Sequence, residues 1–383
     1  MKAVFISGML PSGHFSQILT NALAHEKGLN LTVYADEDPQ NLNIRNCGTI
    51  KTVWPHTAMF IYKIFKEVLK DQPDVIHIQH EFTMYGSIKN AFLFPFLLLL
   101  LRLIGKKVVV TIHACVYKNQ VDDQFIYLFT TKKIAGLSPT TLKLFFFYTY
   151  KLISIFSNAI ICHTHLLKDM LIKDWQVSSN KIHVVPTGIP AKKLTKKNKK
   201  NYFLYFGYMV RRNGLNYVID GFSKFVKQNK KYKLILAGGI IKGQEEAFKE
   251  IQDYIKKKKL EKFVEIRGFI EQEEQDKLYE EASAVAIPAV VSMGSSGRLY
   301  HAQSWGKCIL ASNVGHFQED IHHLYDGILV NNDEWNKSFK YVVDHPEKIA
   351  QIEKNVLKKA RSKSSDKIAK MHIEVYKNIA NVL

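Results

Sequence analysis

The sequence predicts an α/β chain built from two doubly wound parallel sheets that face each other across a cleft. Three observations predict it. Short apolar runs alternate with helical stretches through the first half, the rhythm lapses in a Lys-rich stretch after Gly188, and it then restarts. Strands that alternate with helices imply a parallel sheet covered on both faces. At 383 residues the chain also exceeds what one ordinary core supports.

In the first half, MKAVFISG (1–8) is an apolar run ended by glycine. LPSGHFSQILTNALAHEKG (10–28) reads as a loop entering a helix, with Ile18, Leu19, Ala22 and Leu23 on one face. Strands follow at LTVYAD (31–36), VIHIQHE (75–81), VVVTIHA (108–114), AIICHT (159–164) and KIHVVPTG (181–188), with helical stretches between most of them. AKKLTKKNKKN (191–201) has no large apolar residue beyond Leu194 and reads as a linker. The second half runs through YFLYFGYM (202–209), KLILAGG (233–239), VEIRGF (264–269), AVAIPAV (284–290), CILASN (308–313) and GILV (327–330). The last stretch, 364–383, is an amphipathic helix with Ile368, Met371, Ile373, Val375, Ile379 and Val382 available for packing. The expected division is a first domain of 1–190 plus 366–383, a linker of 191–201 and a second domain of 202–365.

The totals narrow the function. A hydrophobic fraction of 46% with 23% charged residues excludes a disordered chain. The net charge of +19 suits an acidic partner, or simply reflects a background of solvated lysines. No aromatic-basic motif of an RNA module is present, so nucleic acid is not the expected partner. Cys47, Cys115, Cys162 and Cys308 fit no zinc spacing, and no signal peptide precedes the first strand. Free thiols in a reducing cytoplasm are the expectation. AFLFPFLLLLLRLIG (91–105), broken by Pro95 and Arg102, falls short of the roughly 20 residues a membrane span needs. A buried helix is expected there, with an interfacial one as the alternative.

Ligands of open parallel sheets sit beyond the carboxyl ends of the strands, so the post-strand loops carry the candidate chemistry. After the first strand, PSGHFSQ (11–17) offers backbone amides at Gly13 and His14 to an anion, or is a plain tight turn. HEFTMYG (80–86) puts Glu81 and Tyr85 where a sugar or other acceptor would be held, or else makes Glu81 a paired structural carboxylate. His113 ends an apolar, central-looking strand, where a neutral imidazole can exchange hydrogen bonds with a substrate hydroxyl. Arg211 and Arg212 follow the first strand of the second half, and a guanidinium fork suits a diphosphate. The strongest element is SMGSSG (292–297), a small-residue loop opening the helix RLYHAQSW (298–305). The free amides at that helix start would stabilise a pyrophosphate around Gly294, Ser295, Ser296 and Gly297, with His301 one turn deeper. Glu319, after CILAS, is placed to accept from ribose hydroxyls.

These motifs, in this order and spacing, resemble the GT-B glycosyltransferases, specifically glycosyltransferase family 4. PSGHFSQILTNALA, PDVIHIQHE, KKVVVTIHA, KIHVVPTGIP, FGYMVRRNGLNYVIDGF, LILAGG, VEIRGFI and the block from IPAVVSMGSSG to SNVGHFQEDI carry the likeness nearly end to end. The resemblance implies two Rossmann-like domains, with the nucleotide on the second and the acceptor mostly on the first. It implies retaining transfer of a sugar from a UDP- or GDP-linked donor to a glycan or lipid-linked acceptor, as in cell-surface polysaccharide synthesis. No metal or other cofactor is expected, because the nucleotide-sugar is itself a substrate. Catalysis would be positioning and stabilisation of the leaving diphosphate, with His113 and Arg212 as the catalytic pair. The last helix resembles the one that crosses back onto the first domain.

The chain departs from the family pattern at four positions. The usual Glu, seven residues, Glu falls on Met293 and His301, and the usual Arg and Lys of the post-hinge loop fall on Tyr208 and Asn213. Arg212 or Arg211 must then supply the charge, while Glu319 matches. The alternative reading is a non-catalytic homologue that binds a glycan or regulates an active partner. The segments 91–105 and LKLFFFYTYKLISIF (142–156) are either helices buried against the sheet or sites of contact with an anionic membrane at the cytoplasmic face.

Overall fold

The computed structural model describes residues 1–8, 15–37, 49–130, 137–190, 192, 198–241 and 243–380. The first lobe holds a seven-stranded sheet: β1 (Lys2–Ile6), β2 (Asn30–Asp36), β3 (Thr49–Trp54), β4 (Val75–His80), β5 (Lys107–Ile112), β6 (Ala159–Cys162) and β7 (Ile182–Val184). Their order is β3-β2-β1-β4-β5-β6-β7, every pairing parallel. The helices between them are α1 (Phe15–Ala24), α2 (Phe60–Asp71), α3 (Ile88–Leu103), α4 (Asp123–Phe129), α5 (Pro139–Phe156) and α6 (His165–Lys173). Alternation along each strand divides the core in two. Val4, Ile6, Ile76, Ile78, Val108 and Val110 face α2, α3 and α5, while Ala3, Phe5, Val75 and Val109 face α1 and the last helix.

The second lobe holds β8 (Tyr202–Phe206), β9 (Lys233–Ala237), β10 (Val264–Gly268), β11 (Ala284–Ile287), β12 (Ile309–Ser312) and β13 (Ile328–Val330), in the order β10-β9-β8-β11-β12-β13. Its helices are α7 (Leu215–Phe225), α8 (Glu245–Lys257), α9 (Gln272–Glu281), α10 (Gly297–Ser304), α11 (Phe317–Asp320), α12 (Trp335–Asp344) and α13 (Pro346–Ser362). Helix α14 (Ser365–Ala380) returns to the first lobe, where Ile368, Ala369, Val375 and Tyr376 pack with Phe5, Leu19 and Leu23. The chain crosses between lobes twice, side by side: Ile189 N–H donates to Lys363 O at 2.8 Å, and Ile189 bridges Ser364.

The two doubly wound sheets are those the sequence predicts. Strand β3 was not anticipated, because TIKTVW buries only Val53 and Trp54 and reads as polar. The segments 91–105 and 142–156 form helices α3 and α5, which pack against each other and the sheet. Among the described residues no helix is long and apolar enough to cross a membrane. Cys115, Cys162 and Cys308 are free and buried; Cys47 lies outside the described residues. So do residues 191 and 193–197 of the expected linker; Lys192 pairs with Asp276 at 3.2 Å and lies over the Trp305 ring.

Candidate active-site cleft

A doubly wound sheet opens its ligand crevice where the strand order reverses. In the second lobe that point lies between β8 and β11, and three arginines stand near it, two from the loop after β8 and one from the first turn of α10. They have different fates. Arg211 donates from Nε and Nη2 to Glu250 and from Nη1 to Thr130 O at 3.1 Å, with its guanidinium 4.3 Å over the Tyr127 ring. It ties the second lobe to the end of α4, an engagement the sequence expectation did not include. The Arg212 guanidinium makes no hydrogen bond or ion pair within the protein among the described residues. It lies 5.1 Å over the Phe129 ring. Burial lowers its pKa; Glu81 of the first lobe counters this and Arg298 adds to it. Arg298, in the first turn of α10, was not singled out from the sequence. Its Nη2 donates to Pro288 O at 3.2 Å, and its buried Nη1 has no acceptor.

The loop 292–297 meets the expected helix start but also closes the cleft. Ser296 caps α10, its hydroxyl accepting from Leu299 N–H at 3.4 Å. Gly297 has open space around it, and Ser295 is half-buried in the loop. Gly294 answers to a different demand. Ala114 and Gly294 form an antiparallel bridge, Cys115 N–H donates to Met293 O, and a Cβ on Gly294 would stand 1.9 Å from His113 O. Glycine stands at 294 because two backbones touch there. Met293 and Val291 pack against the core of the first lobe.

His301 is half-buried, stacked on Tyr279 with centroids 5.5 Å apart, and within 3.3 Å of Gln275 Nε2. Burial, with Lys192 nearby, lowers its pKa to about 4, so it stays neutral at pH 7. Glu319 is exposed and reaches across to the first lobe. Its two carboxylate oxygens accept from His165 N–H and Leu166 N–H of α6, each at 2.8 Å. A ribose carboxylate expected from the sequence is thus found as a helix cap reaching across the lobes.

In the first lobe, Gly13 and His14 lie outside the described residues. Glu81 follows β4 and opens to solvent on one side. Enclosure by protein on the others raises its pKa, and Arg212 opposes the rise. Tyr85 cannot hold an acceptor: it is 2% exposed, stacked between Phe60 and Phe94, and its hydroxyl donates to Gln79 O at 2.9 Å. Its large ring satisfies the core, and that corrects the expectation. His113 stands at the end of β5, half-buried at the cleft floor. Its Nε2 is 2.7 Å from Gln79 Oε1 and its Nδ1 is 3.1 Å from His163 Nε2.

His113 therefore belongs to a chain of side chains that the sequence did not expose. His163 Nδ1 is 2.9 Å from Val185 O, Gln79 Nε2 is 2.9 Å from His77 Nε2, and His77 Nδ1 is 2.6 Å from the Tyr376 hydroxyl of α14. Neutral rings satisfy every link if the Gln79 amide is turned over, so that its NH2 donates to His113 and its oxygen accepts from His77. Between the lobes lies a cavity of about 250 Å3, lined by Tyr117, Leu166 and Met170 on one side and Ser292, Gly315 and Gln318 on the other.

Comparison with known proteins now decides the family. The model for Glycosyltransferase Family 4 matches residues 17–193, and the model for Glycosyl transferases group 1 matches residues 190–359. The chain belongs to the GT-B glycosyltransferases of family 4 type. The two matches meet at residues 190–193, just after Ile189, where the lobes are joined. No curated protein sequence matches this glycosyltransferase. Solved structures do. The Anabaena protein Alr3699/HepE in complex with UDP-glucose is 15% identical, covering 99% of this chain and 100% of that one, with a TM-score of 0.77. The sucrose-phosphate synthase of Thermosynechococcus elongatus is 16% identical over 100% of both chains, TM-score 0.74. A glycosyltransferase from Rickettsia africae ESF-5 is 13% identical over 100% of this chain and 99% of that one, TM-score 0.69. At these identities the likeness is one of fold.

Proposed function

We propose that this chain is a retaining glycosyltransferase that moves a hexose from a UDP- or GDP-linked donor to a glycan or lipid-linked acceptor in cell-surface polysaccharide or glycoconjugate synthesis. The observation that carries the reading is Arg212: a half-buried guanidinium at the β8–β11 crevice with no hydrogen bond or ion pair among the described residues, facing Glu81 across the cleft. A group so placed suits the charge that develops on a leaving diphosphate. The α10 amides behind Ser295 and Ser296 add partial positive charge. His113 is proposed to act at the cleft floor and Glu81 on the acceptor side. No metal is part of the proposal. That HepE is known with UDP-glucose supports a uridine nucleotide as the first donor to test.

The test is a thermal-shift series with UDP, GDP, ADP and their sugars. One nucleotide raises the melting point, and Arg212→Ala weakens its affinity about ten- to hundredfold, the worth of a charged hydrogen bond or two. Unchanged affinity in Arg212→Ala refutes the assignment. One observation favours a second reading, a glycan-binding or regulatory homologue without activity: Met293 is given over to lobe packing, and neutral His301 replaces the other family glutamate. Slow donor hydrolysis without acceptor separates the two, since a non-catalytic homologue leaves the donor intact.

We also propose peripheral contact with an anionic membrane surface at the cytoplasmic face. On the helix layer α2, α3 and α5, Phe92, Phe96, Leu103 and Tyr148 are more than half or half exposed, beside exposed Lys66 and Lys89. Aromatic and basic side chains together fit a headgroup region. Phosphatidylglycerol vesicles, but not phosphatidylcholine ones, are expected to sediment the protein; Phe96→Glu binding as wild type would refute this face.

A further inference from the structure

We infer that Arg298 is the second arm of a two-guanidinium clamp on the donor diphosphate, entering the β8–β11 crevice from beneath α10 while Arg212 enters from the loop after β8. The inference rests on the nucleotide-sugar reading above and extends it to a residue that the sequence motifs did not mark.

Its position is the first argument. The Arg298 stem crosses the end of β8, where a Cβ on Gly207 would lie 2.6 Å from Arg298 Cδ, and Gly207 itself has a φ of +150°. Nη2 reaches Pro288 O just past β11. The side chain therefore spans the two strands at which the order of the sheet reverses. The guanidinium lies 5.7 Å over the Tyr205 ring, which is buried in the core of the second lobe.

One arm of the guanidinium also lacks an acceptor. Nη1 is buried without an acceptor, and among the described residues no carboxylate pairs with Arg298. A buried donor left unpaired is costly unless a ligand satisfies it. Arg212, which makes no hydrogen bond or ion pair among the described residues, feels the charge of Glu81 and of Arg298. Two like charges in one crevice, with Glu81 facing Arg212 from the first lobe and no carboxylate paired with Arg298 among the described residues, form an arrangement that a dianion neutralises. Two guanidinium forks provide one for each phosphoryl group of a nucleoside diphosphate. Asn213, whose amide donates to the Tyr205 hydroxyl at 2.9 Å and Tyr208 O at 2.7 Å, is already engaged and does not compete for that role.

The ligand class is thus a nucleoside diphosphate, and the clamp predicts strong preference over the monophosphate. Isothermal titration of the full chain with UDP, GDP and ADP, and with UMP, GMP and AMP, tests it. Wild type binds one diphosphate far more tightly than its monophosphate. Arg298→Gln weakens the diphosphate about ten- to hundredfold and narrows the gap to the monophosphate, while Arg298→Lys recovers part of the loss. Gly207→Ala, which drives a methyl into the Arg298 stem, reproduces the same selective loss. Melting temperatures show which variants are folded. A folded Arg298→Gln that keeps the full preference overturns the inference and leaves the donor reading standing if Arg212→Gln is impaired. If Arg298→Gln does not fold, Arg298→Lys decides: wild-type affinity and preference in it, with Gly207→Ala also unaffected, overturn the clamp. A wild type that binds none of the three diphosphates overturns the donor reading itself.

Discussion

Replacing Glu319 with alanine removes the carboxylate that accepts from His165 N–H and Leu166 N–H at 2.8 Å each. These amides begin α6, and the first turn of a helix has no acceptors of its own. Thr164 already caps Leu167 N–H at 3.1 Å, so Glu319 is a second cap contributed by the other lobe. Loss of a capping side chain costs about 0.5–2 kcal/mol, and a carboxylate at a helix start adds about 0.3–1 kcal/mol. The group is exposed, so about 1–2 kcal/mol in all is the fitting figure. The two partners sit on different lobes, so the whole amount is lost from the closed form and none from the open one. At 1.4 kcal/mol per tenfold, Glu319→Ala shifts the lobes towards opening by about 5- to 30-fold. Small-angle scattering reads this as a larger radius of gyration without nucleotide, restored when UDP or another bound nucleotide closes the cleft. An unchanged radius, with nucleotide affinity lost but pyrophosphate affinity kept, would place the carboxylate on the ribose and refute the cap.

Three further outcomes follow from the same geometry. Gly294→Ala puts a methyl group 1.9 Å from His113 O; the lobes are expected to stay apart and transfer to fall, with each lobe still folded by circular dichroism. His113→Ala is expected to reduce transfer more than nucleotide affinity, and equal loss of both would place His113 outside the reaction. Burial holds His80 to about 3 and His163, His301, His316 and His372 to about 4. The unfolded chain then binds more protons between pH 6.5 and 4, so stability falls as pH drops through that window, by up to about 1.4 kcal/mol per pH unit for each histidine. Urea midpoints at pH 7 and pH 5 test this, and equal midpoints would refute it.

The alternation of apolar runs and helices was enough to read both sheets, because buried parallel strands such as KVVVTI need no polar face. It failed at β3, an edge strand paired only with β2, where Thr49, Lys51 and Thr52 dilute the signal. The crevice loops were legible as loops, yet the side-chain assignments divided. Arg211 and Arg212 are adjacent in sequence and equivalent as residues; only the tertiary presence of Glu250 and Thr130 engages one and frees the other. Tyr85 read as a cleft residue because the turn after β4 hides that its ring points back into the core. Arg298 looked like any helix residue, since nothing local says that its stem lies over Gly207. The His77–Gln79–His113–His163 chain joins three strands' ends and α14, a juxtaposition that no spacing rule encodes.

The return of α14 to the first lobe reorders the biosynthesis of the molecule. Tyr376 and Val375 fill the same core layer as Phe5 and Leu23, so that layer is incomplete while the ribosome is still making the second lobe. Amino-terminal domains usually mature first during synthesis; here the core of the first lobe needs residues made after the whole second sheet, so one apolar face of that lobe has no cover until α14 is available.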